Sequence, residues 1–490
     1  MFNPTRAIPA LSLVYLVFSS YPAVQAAPPD KAAKRPDPVE QNGPIFQDWT
    51  TKPELVLVLT GEQLGYIEPC GCAGLENQKG GLRRRHTFLK QLAKKGWPVM
   101  ALDNGGLIRR FGVEAEIKYR KTAEGLKLMD YKAVGFGTDD LKLPAGALLS
   151  AVFDADIFIS GNAMLFDDGV GIPRFRTAQI GGMKVGVTAV VSDRSQKQVS
   201  NKDVKFMPAA KALDEIVPDL KKAKCDVYVL LAYATPEETT ELVQKHPLFN
   251  VAVVAHGADE PPHEAEKVKG GETFLVEVGH KGMYAIALGF YDDKKTPIRY
   301  QRVPLDHRFT DSHEIDELMV GYQDELKELG WSGLGLRAAP HPGGKFAGSK
   351  SCAGCHQNEY DIWKKTPHAL ATETLLHAKP PRQFDPECIS CHSTGWNPQE
   401  YFPYKSGFES LKGTPLLAGN GCENCHGPGA EHVAAERGKD QSLQRKLREA
   451  LGHTATGATK EAQRDACMRC HDLDNSPKFD FDAYWKKVKH

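Results

Sequence analysis

Four pentapeptides of the form Cys-x-x-Cys-His lie between Cys352 and His471: Cys352-Ala-Gly-Cys355-His356, Cys388-Ile-Ser-Cys391-His392, Cys422-Glu-Asn-Cys425-His426 and Cys467-Met-Arg-Cys470-His471. Two thiols three positions apart can each bond one vinyl group of a porphyrin, and the imidazole that follows then sits beneath the iron as proximal ligand. A disulfide framework needs no histidine after each pair, and a structural zinc site needs two half-sites at finger spacing, not four separated motifs. The expected cofactor is therefore haem c, four copies covalently attached. Cys352, Cys355, Cys388, Cys391, Cys422, Cys425, Cys467 and Cys470 are the attachment positions, and His356, His392, His426 and His471 the proximal ligands.

From Lys345 onward Met468 is the sole methionine, and it is held between the two cysteines of its own motif, so His–Met ligation is excluded. The other histidines in reach are His341, His368, His377, His432, His453 and His490. His368 and His432 are the leading distal ligands, with His341, His377 and His453 completing the candidate set. Thr366 is expected to cap, and Pro367 to open, a helix that turns His368 back toward the cofactors. Gly427-Pro428-Gly429 forces a turn before His432, which is too near His426 to serve the same iron and is expected to ligate a neighbouring one. At roughly 36 residues per cofactor, the macrocycles must form most of this region's core and lie close together.

The elements that must position these groups begin far upstream. Residues 1–26 read as an export signal, with Arg6, an apolar stretch from Ala10 to Val17 and a small-residue cleavage site before Ala27. Residues 27–53 read as a tether, and no later segment is long and apolar enough to span a bilayer. Export suits haem attachment, so the expected location is the periplasm or the exterior. The 490 residues carry a formal net charge of zero before any haem propionates are counted, which argues against a nucleic-acid or polybasic membrane binder.

Residues 54–330 alternate short apolar runs with amphipathic ones. Leu55–Leu59, Val99–Leu102, Ala133–Phe136, Ile157–Ile159, Val227–Leu231 and Val251–Val254 read as buried strands, and Leu82–Lys95, Ala115–Met129, Ala209–Lys222 and Pro236–Lys245 as helices between them. This predicts an α/β domain with a largely parallel core sheet, to which Met183–Val191, Thr273–Val278 and Met283–Tyr291 add antiparallel strands. A last helix, Ser312–Leu329, leads to a Gly-rich linker at 331–347, and a mainly helical, haem-cored domain fills 348–490.

Ligands gather at the carboxyl ends of such strands. These ends carry Glu62-Gln63-Leu64, Asp103-Asn104, Thr138-Asp139-Asp140, Ala232-Tyr233 and His256-Gly257-Ala258. Strand order and turns resemble the calcineurin-like metallophosphoesterases, in particular the catalytic domain of bacterial 5′-nucleotidases. Asp103 and His256 fall on that family's ligand positions, whereas Glu62, Leu64, Thr138-Asp139, Ala232 or Tyr233, and Gly257-Ala258 depart from them. The resemblance thus implies the fold with its dinuclear site largely lost; the alternative is a single-metal remnant on Glu62, Asp103, Asp139 and His256.

Glu68-Pro69-Cys70-Gly71-Cys72 followed by Gly80-Gly81-Leu82-Arg83-Arg84-Arg85 is a second local signal, similar to a block in a subset of exported metallophosphoesterase-like proteins. Cys70 and Cys72 could bind a soft metal, form a tight disulfide or remain thiols, and the arginines could serve an anion site at a helix N-terminus or simply a solvated face. Cys225, before a buried strand, reads as a core thiol.

The C-terminal third resembles the cytochrome c-554 family of tetrahaem cytochromes. The resemblance rests on Ser351 to His356 with Tyr360, Trp363 and Thr366-Pro367-His368, on Glu387 to Gly395, and on Gly421 to Gly429 with His432. It implies close haem pairs relaying electrons, mostly through bis-His iron, in a family where one haem can lack a sixth protein ligand. The expected function is electron relay between periplasmic redox proteins or quinol-linked cytochromes. Two rivals stand: a haem enzyme reducing a small nitrogen or sulfur oxide, and a phosphoester hydrolase with a redox appendage.

Overall fold

The computed structural model describes residues 43–69, 78–166, 171–455, 459–472, 475–476 and 479–490, and residues from Pro44 to His490 form one compact unit. The export signal, most of the tether, and Cys70 with Cys72 lie outside the described residues.

The α/β region is built on two large sheets, not one, together with a two-stranded sheet of Ala163–Leu165 and Val204–Phe206. The first runs in the order Ile298–Pro304, Tyr284–Phe290, Leu55–Thr60, Val99–Asp103, Tyr131–Val134, and the second in the order Glu266–Lys267, Phe274–Glu277, Val251–Val254, Val227–Tyr233, Met183–Val191, Phe175–Ile180. Both are mixed. In the first, Leu55–Thr60 pairs in parallel with Val99–Asp103 and antiparallel with Tyr284–Phe290. In the second, Met183–Val191 pairs in parallel with Val227–Tyr233, and Phe274–Glu277 in parallel with Val251–Val254, so these two expected antiparallel additions lie inside the parallel core. The Ile157–Ile159 run makes only an isolated bridge, Val134 to Phe158.

Side-chain alternation explains the layers. Leu55, Leu57 and Leu59 point into a core shared with Val185, Val187, Val229, Val251 and Val253 of the facing sheet. Val56 and Val58 point the other way, against Leu82, Phe88, Ala123 and Leu126 of the Leu82–Lys94 and Val113–Leu128 helices. A strand covered on both faces reads as a continuous apolar run whether its cover is a helix or a second sheet, which is why the sequence pattern suggests a single sheet. The outer face of the second sheet is covered by the Ala209–Lys222 and Pro236–Lys245 helices. Cys225 is only half-buried.

Past the Asp316–Gly333 helix the chain is mainly short helices. Its largest apolar cluster holds Leu375, Ile389, Trp396, Phe408 and Leu417 and is small for a region of this length, as expected where cofactors supply core volume. Trp331 near the end of that helix and Leu336 in the stretch after it both touch this cluster and the α/β core, the Trp331 ring lying 5.0 Å from that of Trp396. Among the described residues no helix is long and apolar enough to cross a membrane.

Candidate functional site

The second and third Cys-x-x-Cys-His motifs lie in helices, whereas the first and fourth start at the C-terminal ends of the Ser349–Cys352 and Lys460–Met468 helices and continue as turns. His356 N–H donates to Cys352 O at 2.9 Å and His471 N–H to Cys467 O at 2.9 Å. The second motif lies in the Pro386–His392 helix, capped by Asp385, whose carboxylate accepts from Glu387 N–H at 3.0 Å. The third forms the Cys422–His426 helix, whose buried Glu423 accepts from the N–H groups of Ala347, Gly348 and Gly429 at 2.7–2.8 Å. That carboxylate ties the third motif to the strand of chain leading into the first. Gly348, at φ +83°, could carry no Cβ there, since one would meet Leu416 O at 2.6 Å.

Three of the four motif histidines face another imidazole. His356 and His432 have ring centroids 6.5 Å apart, His471 and His368 6.0 Å, and His426 and His490 5.9 Å. Metal–imidazole bonds of about 2 Å on either side of one ion put two ring centroids roughly 6 Å apart, so each pair fits a single iron between its rings. Burial holds His368 down to about 4 and lowers His392, His426 and His471 as well, which keeps the imidazoles in the neutral form that binds metal. The Nδ1 atoms of His392, His426 and His471 face Ala371 O, Leu451 O and Ser476 Oγ at 2.8, 3.4 and 2.9 Å, leaving Nε2 for a ligand.

His368 and His432 thus meet motif histidines, each from a motif other than the one nearest in sequence. Pro367 opens a 3-10 helix as expected, but the Thr366 hydroxyl donates back to Trp363 O at 2.7 Å and caps nothing. His341 packs edge-on against Tyr404 and Phe346, and His377 is 76% exposed beside Glu373. His453 lies on the Gln441–Ala455 helix, its side chain outside the described set. His490 is absent from the candidate set read from sequence, because no turn or motif marks it; it is delivered by the amphipathic Phe481–Val488 helix.

The motifs also touch one another. The thiols of Cys352 and Cys422 lie within hydrogen-bond reach, Cys425 feels the charge of Cys467, and His392 lies in electrostatic range of both His368 and His471. Contacts thus run from first to third, third to fourth and fourth to second, and Asn424 Nδ2 of the third motif also donates to Ser393 O beside the second at 2.9 Å.

At the strand ends of the α/β region the expected metal ligands are otherwise engaged. Asp103 is fully buried, accepts from Thr60 Oγ1 at 2.6 Å and Gly105 N–H at 2.9 Å, and faces the fully buried Arg85 guanidinium at 3.5 Å. Asp139 pairs with Lys142 at 2.7 Å, and Asp140 takes backbone N–H groups of Gly106, Ile108 and Gly137. Glu62 sits between His256 Nδ1 at 3.3 Å and His280 Nε2 at 3.2 Å; burial alone would raise its carboxyl, but the two imidazoles hold it down to about 2. The single-metal set of Glu62, Asp103, Asp139 and His256 is thus not assembled, and His280 is a member of this cluster that the sequence pattern does not reveal. Arg83, Arg84 and Arg85 form neither an anion site nor a solvated face: all are buried, Arg83 pairing with Asp316 at 2.9 Å and Glu68 at 3.2 Å.

Residues 351–427 match the protein family described as cytochrome c554 and c-prime. Cytochrome c-554 of Nitrosomonas europaea is 30% identical over 159 residues, covering 29% of this chain and 62% of that protein, so the chain spans less than two thirds of this relative. Similar solved structures include a 5′-nucleotidase precursor from Thermus thermophilus, with TM-score 0.49, 17% identity, and coverage of 56% of this chain and 59% of that one. The NAD nucleotidase of Haemophilus influenzae also has TM-score 0.49, with 15% identity and coverage of 74% of each chain.

Proposed function

We propose that this chain, whose C-terminal third resembles the cytochrome c-554 family, is an exported four-haem cytochrome that relays electrons between redox partners, with the α/β region serving as the body on which the haem-bearing region is docked. The observation that carries this reading is the set of three imidazole pairs at the spacing of a bis-His metal centre. In this reading His356 pairs with His432, His426 with His490 and His471 with His368 around three irons, and His392 is proximal to the fourth. Bound haem supplies one-electron chemistry between ferric and ferrous iron.

The chain's own residues do the rest. They hold His368, His392, His426 and His471 neutral, fix the rings of His392, His426 and His471 through Nδ1, and set the motifs against one another so that an electron has a neighbouring centre at every step. The partners are periplasmic redox proteins or quinol-linked cytochromes. Glu62, Asp103 and Asp139, turned to imidazoles, Arg85 and Lys142, speak against a phosphoester hydrolase.

The test is the purified holoprotein from a host able to attach haem c. Its mass should exceed the signal-cleaved polypeptide by four haems, and its midpoint potentials should lie below those of His–Met cytochromes. Three or fewer haems, or midpoints all in the His–Met range, would refute the reading.

A further inference from the structure

The junction between the two regions encloses four charged side chains that neither haem attachment nor electron relay uses. Lys118, on the Val113–Leu128 helix, places Nζ 2.9 Å from Glu114 on the same helix and 2.7 Å from Glu387 on the helix of the second motif. Asp385 completes the group: it accepts from the Tyr322 hydroxyl and from Gln323 Nε2, each at 3.3 Å, and Tyr322 also donates to Glu114 at 3.2 Å. Oxygens of Glu114, Asp385 and Glu387 all lie within 4.8 Å of one another.

We propose that Glu114, Asp385 and Glu387, gathered around the buried Lys118, form a proton-binding site coupled to the redox state of the haem carried by Cys388 and Cys391. The proposal rests on the reading that haem c is attached there. Three carboxylates face one buried ammonium, and Arg110, 3.3 Å from Glu387, adds a second cation at the rim. Among the described residues Asp385 forms no ion pair of its own, its side-chain partners being the neutral Tyr322 and Gln323, and a buried charge without a counter-ion is costly enough that the group takes up a proton instead. A second observation points the same way. Gln323 is 5% exposed, and its Oε1 has no donor although its Nε2 is already committed to Asp385. Turning the Gln323 amide over would let this oxygen accept from a protonated Asp385 where Nε2 now donates to the carboxylate, so one side chain can serve both protonation states.

The groups facing the site divide the work. Burial raises Glu114 to about 7, with Glu387 and Asp385 adding to the rise and Lys118 opposing it; burial and Glu387 raise Asp385 too. On Glu387 burial acts upward, but Lys118, Arg110 and Arg109 hold it low, so the proton belongs to the Glu114 and Asp385 side. The link to the haem is short. Asp385 caps the helix that carries Cys388, Glu387 lies in that helix's first turn, and Cys388 is in electrostatic range of Tyr322. When a one-electron donor reduces that haem, the added negative charge raises the affinity of the carboxylate for a proton from water, and by reciprocity the bound proton favours reduction.

The test is a redox titration of the holoprotein across neutral pH, run beside its intact mass. One haem component should lose electron affinity by up to tenfold per pH unit, about 59 mV for one electron. Glu114→Gln should flatten that dependence, and Lys118→Met should move its pH window upward. An infrared difference spectrum between oxidised and reduced protein should show a protonated carboxyl band that Glu114→Gln removes. Full haem load with no pH-dependent component, or a dependence unchanged in both Glu114→Gln and Asp385→Asn, would overturn the proposal. Missing haem at Cys388 and Cys391 would instead count against the cytochrome reading. A divalent metal that copurifies at one per chain and is lost in Glu114→Gln would overturn it in favour of a cation site.

Discussion

At the scale of residues, the acidic groups at the strand ends of the α/β region are engaged by internal partners. Arg85 supplies Asp103 with a fixed positive charge where a metal would otherwise be needed, and both are fully buried. Removing one member of such a pair strands the other, so Arg85→Ala should cost about 3–5 kcal/mol in chemical unfolding, whereas chelators should leave wild-type stability unchanged. Glu62 gives a pH prediction with a definite sign. Its carboxyl lies near 2 in the folded chain against 4.5 for the free side chain, so its contribution is present above pH 4.5 and is lost as pH falls through that value toward 2. The shift corresponds to about 3 kcal/mol. Glu62→Gln should therefore flatten the acid limb of a stability-against-pH curve, and an unchanged limb would show that the two imidazoles do not hold the charge. In the C-terminal region, His490→Ala should convert one low-spin iron to high-spin in paramagnetic resonance while leaving the haem count at four. A spectrum unaltered by that substitution would remove His490 from the ligand set.

Among elements, the short helices of the C-terminal region are too brief to be stable by themselves. They are held by polar staples, and Glu423 is the clearest: one buried carboxylate collects three backbone N–H groups from two separate segments. Glu423→Gln keeps the shape but gives up the charge-assisted acceptor, and about 1–3 kcal/mol of stability should go with it. Since Ser349 Oγ also accepts from Cys422 N–H at 3.1 Å, the variant should lower haem incorporation at the first and third motifs together. Loss at only one of them would contradict the stapling role.

For the whole molecule, the contacts across the junction make the two regions one body. Besides the proton-site cluster, Glu68 pairs with both Arg83 of the α/β region and Arg382 of the haem-bearing region, Arg83 donates to Lys379 O at 3.3 Å, and the Arg110 guanidinium lies 3.7 Å from the Tyr401 ring centre. On the docking role proposed for the α/β region, it should have no phosphoesterase activity. Full-length protein assayed on nucleotides and an aryl phosphate across divalent metals should show no turnover, and metal-dependent turnover lost in Asp103→Ala would reverse that conclusion.

What the sequence determined by itself was local: four Cys-x-x-Cys-His motifs whose spacing suits porphyrin attachment, helices such as Ala209–Lys222 and Pro236–Lys245 whose bounds follow amphipathic period and proline, and strands such as Val251–Val254 marked by unbroken apolar runs. Pro367 and the Gly427–Gly429 turn mark where the chain doubles back, and the rings of His368 and His432 that follow them do face motif imidazoles. Tertiary structure alone decided the pairings. Which imidazole faces which motif depends on contacts between residues 64 to 103 positions apart, such as His426 with His490 and His471 with His368, and no periodicity encodes them. The same holds for the two-sheet sandwich, since burial on both faces leaves one signature whatever does the covering. It holds also for the charged junction, where Glu114 and Lys118 read in sequence as an ordinary helix-surface pair until Glu387 and Asp385 are folded over them.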